Sequence, residues 1–248
     1  MFSQDEINKM VFFDIETASR YETLAELRRY DPKMADLWKD RCVYLKRRYV
    51  DSSTMSEDEL YVEKAALHPE FAMVVCVCVG SIRKNNEPMV VSFYAEHGST
   101  VNDEAELLRR MYVMFDRVFS SDHHARLCGH NIKRFDVPFL CKRAMMRNVS
   151  LPDLMLVHNK KPWDMPFVDT SELWSFGAWQ ESFASLDLLA NTLGVPSSKV
   201  DTDGSQVQAQ YWERGDIDGI DRYCKLDVTA TINVVLRLSG YQMIGEIK

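Results

Sequence analysis

The chain has 248 residues, 46% of them hydrophobic and 27% charged, with a formal net charge of -7. That balance suits a globular protein of one large domain or one domain with an insertion, and it argues against extended binding along a nucleic-acid backbone, which rests on a basic surface. No apolar run is long enough to cross a bilayer, and the polar, acidic stretch from Met1 to Met10 is unlike a signal peptide, so the expectation is a soluble, cytoplasmic protein without a membrane partner.

The first strong signal is Val11-Phe12-Phe13-Asp14-Ile15-Glu16-Thr17. In a strand, side chains alternate, so Asp14 and Glu16 share one face while Phe13 and Ile15 pack on the other. Two acids on a buried face repel each other and resist desolvation unless a cation lies between them. Taken alone, the pair reads first as a strand end running out into solvent, and only second as a metal site. A charge-dense stretch follows from Ser19 to His68, in which Leu24, Leu27, Leu37, Leu45 and Leu60 recur too loosely for one amphipathic helix; it reads as a mostly helical insertion with loops. Its clusters Arg28-Arg29-Tyr30 and Lys46-Arg47-Arg48-Tyr49 suit either a phosphate backbone or solvated helix faces.

Phe71 to Ile82 and Met89 to Tyr94 are two apolar runs separated by Asn85-Asn86 and Pro88, which predicts an antiparallel hairpin. Asn102 opens a helix whose apolar residues, Leu107 to Phe119, follow helical spacing. Ala125 to His130 is short and partly apolar. Beyond it, Pro138 suits the first turn of a helix and puts Asp136 at the helix entrance, as a cap or as a site acid. Trp163 to Gly177 contains a short strand candidate, Met165 to Asp169, and the aromatics Trp174 and Phe176, with Trp179 just beyond. Ser185 caps a helix that stops at Gly194. Asp201-Thr202-Asp203-Gly204 reads as a turn, and Val195 to Gly215 as a surface connection. In the last helix, from Asp218 to Leu238, Tyr223 and Asp227 stand one turn apart on the same face. The six cysteines (Cys42, Cys76, Cys78, Cys128, Cys141, Cys224) lack any Cys-x-x-Cys spacing and read as reduced core residues, not as disulfides or zinc ligands.

The acids arrive from separate elements in a set order, and that order resembles the DEDD superfamily of exonucleases. Asp14-Ile15-Glu16 matches its first motif, Asn131 with Phe135-Asp136 its second, and Tyr223 to Asp227 its third. The tyrosine is similar to that of the subgroup containing the proofreading domains of family B DNA polymerases; the histidine subgroup has His where Arg222 stands here. Ser185-Leu186-Asp187, Leu193-Gly194-Val195-Pro196 and Asp203-Gly204-Ser205-Gln206-Val207 extend the likeness to stand-alone bacterial proteins described as predicted 3′-5′ exonucleases. Lys133-Arg134 is more basic than that pattern.

The resemblance implies an α/β, ribonuclease-H-like fold: a mixed five-stranded sheet flanked by helices, forming a single exonuclease domain over residues 1–248 with an insertion over about 19–68. It implies that Asp14, Glu16, Asp136 and Asp227 hold two divalent ions, magnesium or manganese, and that Tyr223 orients the attacking water. Thr17, Asn131, Phe135, Ser185 and Leu186 would contact substrate. The implied partner is a nucleic-acid 3′ end, with single-stranded DNA expected and 5′-mononucleotides released. An exoribonuclease with the same site and a non-catalytic nucleic-acid-binding scaffold stand as alternatives, although a scaffold has no reason to retain such costly acids.

Overall fold

Strand alternation in the first motif sets the layout of the whole molecule. The computed structural model describes residues 1–82, 87–95, 97–98, 101–161, 164–178, 184–199 and 204–245. Asn85, Asn86, Trp163, Trp179 and the Asp201 to Asp203 stretch, all singled out in the sequence, lie outside the described residues. In chain order, α1 (Gln4–Asn8) leads into β1 (Met10–Ser19); α2 (Leu24–Tyr30), α3 (Pro32–Arg48) and α4 (Glu57–Lys64) precede β2 (Ala72–Ile82) and β3 (Pro88–Tyr94). Next come α5 (Val101–Ser121), β4 (Arg126–Gly129), α6 (Asp136–Met146), β5 (Phe167–Asp169) and α7 (Thr170–Ser175). The chain then forms α8 (Leu186–Leu193), the short α9 (Val207–Ala209) and α10 (Ile217–Leu238).

The five strands make one mixed sheet in the order β3-β2-β1-β4-β5. β2 runs antiparallel to both β1 and β3, as the hairpin reading predicts, while β4 lies parallel to β1 and β5. Val11, Phe13 and Ile15 pack on the face covered by α5 and α6, among Leu108, Met111, Phe115 and Leu140. Met10, Phe12 and Ala18 lie on the opposite face, under Ile220, Val228 and Ile232 of α10. Gly80 allows that helix to come close, since a Cβ there would stand 2.6 Å from the Val228 side chain.

Helix signals in the sequence are made good locally. Ser185 accepts the Leu188 N–H and Gly194 closes α8 in the left-handed region at φ 69°, where glycine bears no Cβ penalty. Residues 19–68 are helical as expected and enclose a small core of their own, with Trp38, Leu24, Leu27, Leu45 and Leu60 buried. Leu37 is exposed. The basic-aromatic clusters are occupied within these helices: Arg28 pairs with Glu57 and Asp58, while Arg29 and Arg48 stack on Tyr30 and Tyr49.

The stretch from Val195 to Gly215 departs from the expected surface connection. Its described part carries helical turns, and Val207 and Tyr211 are buried against the α10 side of the sheet. Gln208 explains the inward path, because its amide both accepts the Ser19 N–H at 2.8 Å and donates to the Ser19 hydroxyl. Isolated apolar residues in a polar stretch have no period to reveal this.

α6 is anchored by a buried ion network. Glu104 of α5 takes two bonds from Arg143 of α6, one from Arg147 and one from the Val74 N–H of β2, and Arg143 has no exposed surface. Removing one partner leaves the other charge buried and uncompensated. Glu104→Ala is therefore expected to lower stability by about 3–5 kcal/mol, seen as a lower urea midpoint with an unchanged m value.

Candidate active site

Asp14 and Glu16 lie on the sheet face covered by α10, and Tyr223 and Asp227 project from that helix onto them. Asp136 reaches the same point from the β4 side. β4 pairs with β1 only from Met10 to Phe12, so beyond Phe12 the backbone of β1 is uncovered on that side. The Ile15 N–H there bonds to the Asp136 carboxylate, which places the first residue of α6 beside the acids of β1.

The loop before α6 is held to that position. Gly129 ends β4 where a Cβ would stand 2.7 Å from the Phe13 carbonyl oxygen and collide with Ile132. Asn131 adopts φ 59°, a left-handed conformation that asparagine tolerates. Its N–H bonds to one Asp169 carboxylate oxygen at 2.8 Å, and the Lys133 N–H bonds to the other at 3.1 Å. Asp169 also accepts from the Ser171 N–H and hydroxyl, so one buried carboxylate fixes both the loop and the start of α7.

The electrostatics report how closely the four acids converge. Burial raises the Asp14 pKa well above the ordinary aspartate range, and Asp227, Glu16 and Asp136 push it further. Glu16 is raised by burial and then by Asp227, Cys78 and Asp136. Burial carries Asp136 up to about 8, with Asp169 and Asp227 adding to it against bonds from its own and the Ile15 N–H. Asp227 rises only to about 6, because hydrogen bonds from Ser198 and Tyr223 and the charge of Lys199 offset its burial. Tyr223 is raised by burial and by the charges of Asp227, Glu16 and Asp14, so its phenol stays protonated and bonds to Asp227. Beside the acids, hydrogen bonds from Cys224 and Cys76 lower the Cys78 thiol to about 5.

A cleft of about 430 Å³ opens over Tyr223 and Asp227, lined by Ser185, Leu186, Asp187, Ser198, Lys199 and Gly204. Of the residues expected to touch substrate, Ser185 and Leu186 line it. The Thr17 hydroxyl donates to the Ala66 carbonyl at 2.8 Å, and Phe135 packs on Phe139. The Asn131 Oδ1 is buried with no hydrogen-bond partner among the described residues. Sequence reasoning missed Asp169, Ser198 and Lys199. Asp169 carries a readable signal, an Asp two residues ahead of Ser171 at a helix start, whereas Ser198 and Lys199 sit in a polar loop without any.

The raised acids have a direct consequence for stability. Asp136 holds its proton to about 8 in the fold but releases it near 3.8 when unfolded. The native state therefore binds more protons across that window, and stability falls as pH rises through it. Metal-free protein is expected to melt at progressively lower temperature from about pH 4 to about pH 8, and Asp136→Asn should flatten the profile, as followed by circular dichroism.

Three comparisons bear on this geometry. Residues 65–247 match a family described as "Predicted 3'-5' exonuclease related to the exonuclease domain of PolB". That span contains Asn131, Asp136, Tyr223 and Asp227, while β1 with Asp14 and Glu16 precedes it. No curated protein sequence matches. Among solved structures, the family B DNA polymerase of the hyperthermophilic archaeon Pyrobaculum calidifontis aligns with a TM-score of 0.54 at 19% identity, over 92% of this chain and 24% of that one. The likeness shows the fold, a mixed five-stranded sheet with flanking helices of the ribonuclease-H-like kind, and this chain corresponds to about a quarter of the polymerase's length. With nearly three quarters of its residues matched, the chain belongs to the family of predicted 3′-5′ exonucleases related to the exonuclease domain of PolB.

Proposed function

We propose that this exonuclease removes 5′-mononucleotides from the 3′ end of single-stranded DNA, using two divalent ions held by Asp14, Glu16, Asp136 and Asp227. Residues 1–248 would act as one nuclease unit. The observation that carries the reading is the mutual effect of the four carboxylates. They come from β1, α6 and α10; Asp14, Glu16 and Asp136 are pushed towards their neutral forms by burial and by the charge of Asp227 among others, and Asp227 itself by burial and the charge of Asp187. A fold that gathers four such acids is balanced by cations, and an all-carboxylate donor set favours hard ions such as magnesium or manganese over zinc. When bound, such ions acidify a water molecule and stabilise charge on the leaving 3′ oxygen.

The side chains of this chain would do the rest. Tyr223 keeps its proton, so it positions the water through a hydrogen bond and does not act as a base. Lys199 beside Asp227 gives the cleft a cation to meet a phosphate, and Leu186 offers it an apolar edge. A cleft of about 430 Å³ suits a strand end, and an acidic chain with one lysine at the cleft is poorly suited to gripping a long duplex.

The test is a time course on end-labelled single-stranded DNA and a matched RNA with magnesium. Stepwise mononucleotide release is expected, abolished by chelation and by Asp14→Ala or Asp227→Ala. Tyr223→Phe should slow turnover by about a hundredfold while calorimetry shows metal affinity nearly unchanged. Full activity in the Asp14 variant would refute the site, loss of metal binding in the Tyr223 variant would refute the tyrosine's role, and faster decay of the RNA would make the enzyme an exoribonuclease.

A further inference from the structure

The acid pocket has a sulfur floor. Register places Cys78 directly opposite Asp14 and Cys76 directly opposite Glu16 on the neighbouring strand, so both thiols point to the face that carries the acids. Cys224 comes down onto them from α10. The three Sγ atoms lie within 4.8 Å of one another, the Cys76 and Cys78 sulfurs are 3.9 Å apart, and all three residues are fully buried. Thiolates bound to one zinc-like ion at ~2.3 Å in tetrahedral directions stand roughly 3.8 Å apart, which the Cys76–Cys78 separation matches.

Two plainer readings explain less. A buried cysteine often serves as a small apolar residue, as Cys42 and Cys128 do elsewhere in the molecule, but packing alone gives no reason for three sulfurs to meet at one point. A disulfide joins two sulfurs and leaves the third unexplained. Between Cys76 and Cys78 it would also have to bridge residues two apart on one extended strand, about 6.6 Å, near the upper limit for such a bond.

The sulfurs abut the acids. The Cys224 Sγ lies 3.6 Å from the Asp14 carboxylate, and ligand atoms of Asp14, Glu16 and Cys224 also fall within 4.8 Å of one another.

We propose that Cys76, Cys78 and Cys224 form a three-thiolate site for a thiophilic cation of the zinc class, beneath the carboxylates. On binding, each S–H that is still protonated gives its proton to solvent as its sulfur takes the metal. Cys224, whose single S–H can be given either to Asp14 or to Cys78, then has no proton to donate and presents a metal-bound sulfur to Asp14. Resting on the nuclease reading above, loading of this site disturbs the hard-ion pocket and slows the enzyme.

Cadmium is the probe, added to fully reduced protein in excess magnesium. A thiolate-to-cadmium charge-transfer absorption saturating at one equivalent is expected, with a cadmium NMR resonance in the sulfur-rich range; the resonance identifies the donors in the unaltered protein, whatever the variants do. The absorption should vanish in Cys76→Ala and Cys224→Ala and persist in Cys42→Ala and Cys141→Ala. No saturating band, an all-oxygen resonance, or a band that survives both cluster variants in folded protein would overturn the site. Cadmium should slow nucleotide release in the unaltered enzyme but not in Cys76→Ala, and equal slowing in both would overturn the coupling. A protein without any nuclease activity would sink the earlier reading and leave the spectroscopic result to stand or fall separately.

Discussion

Four carboxylates held together away from bulk water repel one another, and the rest of the architecture makes sense as the means of keeping them there. Burial and neighbouring like charge both disfavour ionisation: burial is the main reason that Asp14, Glu16, Asp136 and Asp227 are all raised, and the charge of Asp227 adds to it at the other three. Left to relax, such groups would swing outward. They are prevented from doing so because each is borne by a rigid element whose other face is committed elsewhere. β1 is pinned by Phe13 and Ile15 in one core, α6 by Arg143, and α10 by Val228 and Ile232 against the sheet.

Strain and pairing are concentrated around Asp136, the acid with the least direct support from the sheet. It belongs to a helix and must reach a strand that β4 has ceased to cover. Gly129 permits the close passage, Asn131 turns the chain, and Asp169 ties down the N–H groups of the turn. The Ile15 N–H then completes the approach. A buried backbone donor left unpaired would be costly, so the same bond satisfies the strand and orients the acid. The two acids of β1 need no such scaffold, since strand alternation alone aims them.

That difference explains how much of the site was legible in the sequence. That Asp14 and Glu16, and Tyr223 and Asp227, share a face follows from the period of a single element, and Asp136 at a helix entrance from the proline in its first turn; that they form one site was implied by the family resemblance alone. The hairpin, the last helix and the caps of α8 are equally local. What escaped was set by tertiary contact: Ser198 and Lys199 reach Asp227 only because α8 docks on α10, and Tyr211 is buried because Gln208 ties its segment to Ser19. Thr17 and Phe135 sit within matching motifs, and only the structure shows their partners within the fold, the Ala66 carbonyl and the Phe139 ring.

The cysteines show the same limit from the other side. Spacing along the chain gives no metal pattern, because two of the three belong to one strand and the third to a distant helix. Register is what brings them to Asp14 and Glu16. The result is a hard, oxygen-lined pocket sharing a wall with a soft, sulfur-lined one, with Cys224 in contact with both. Such neighbours discriminate by chemistry: oxygen donors favour magnesium and manganese, while thiolates favour zinc-like ions. Binding a thiophilic ion at the sulfurs releases protons and alters the hydrogen bonding of Asp14, so occupancy of one pocket is bound to change the affinity of the other by the same factor in both directions.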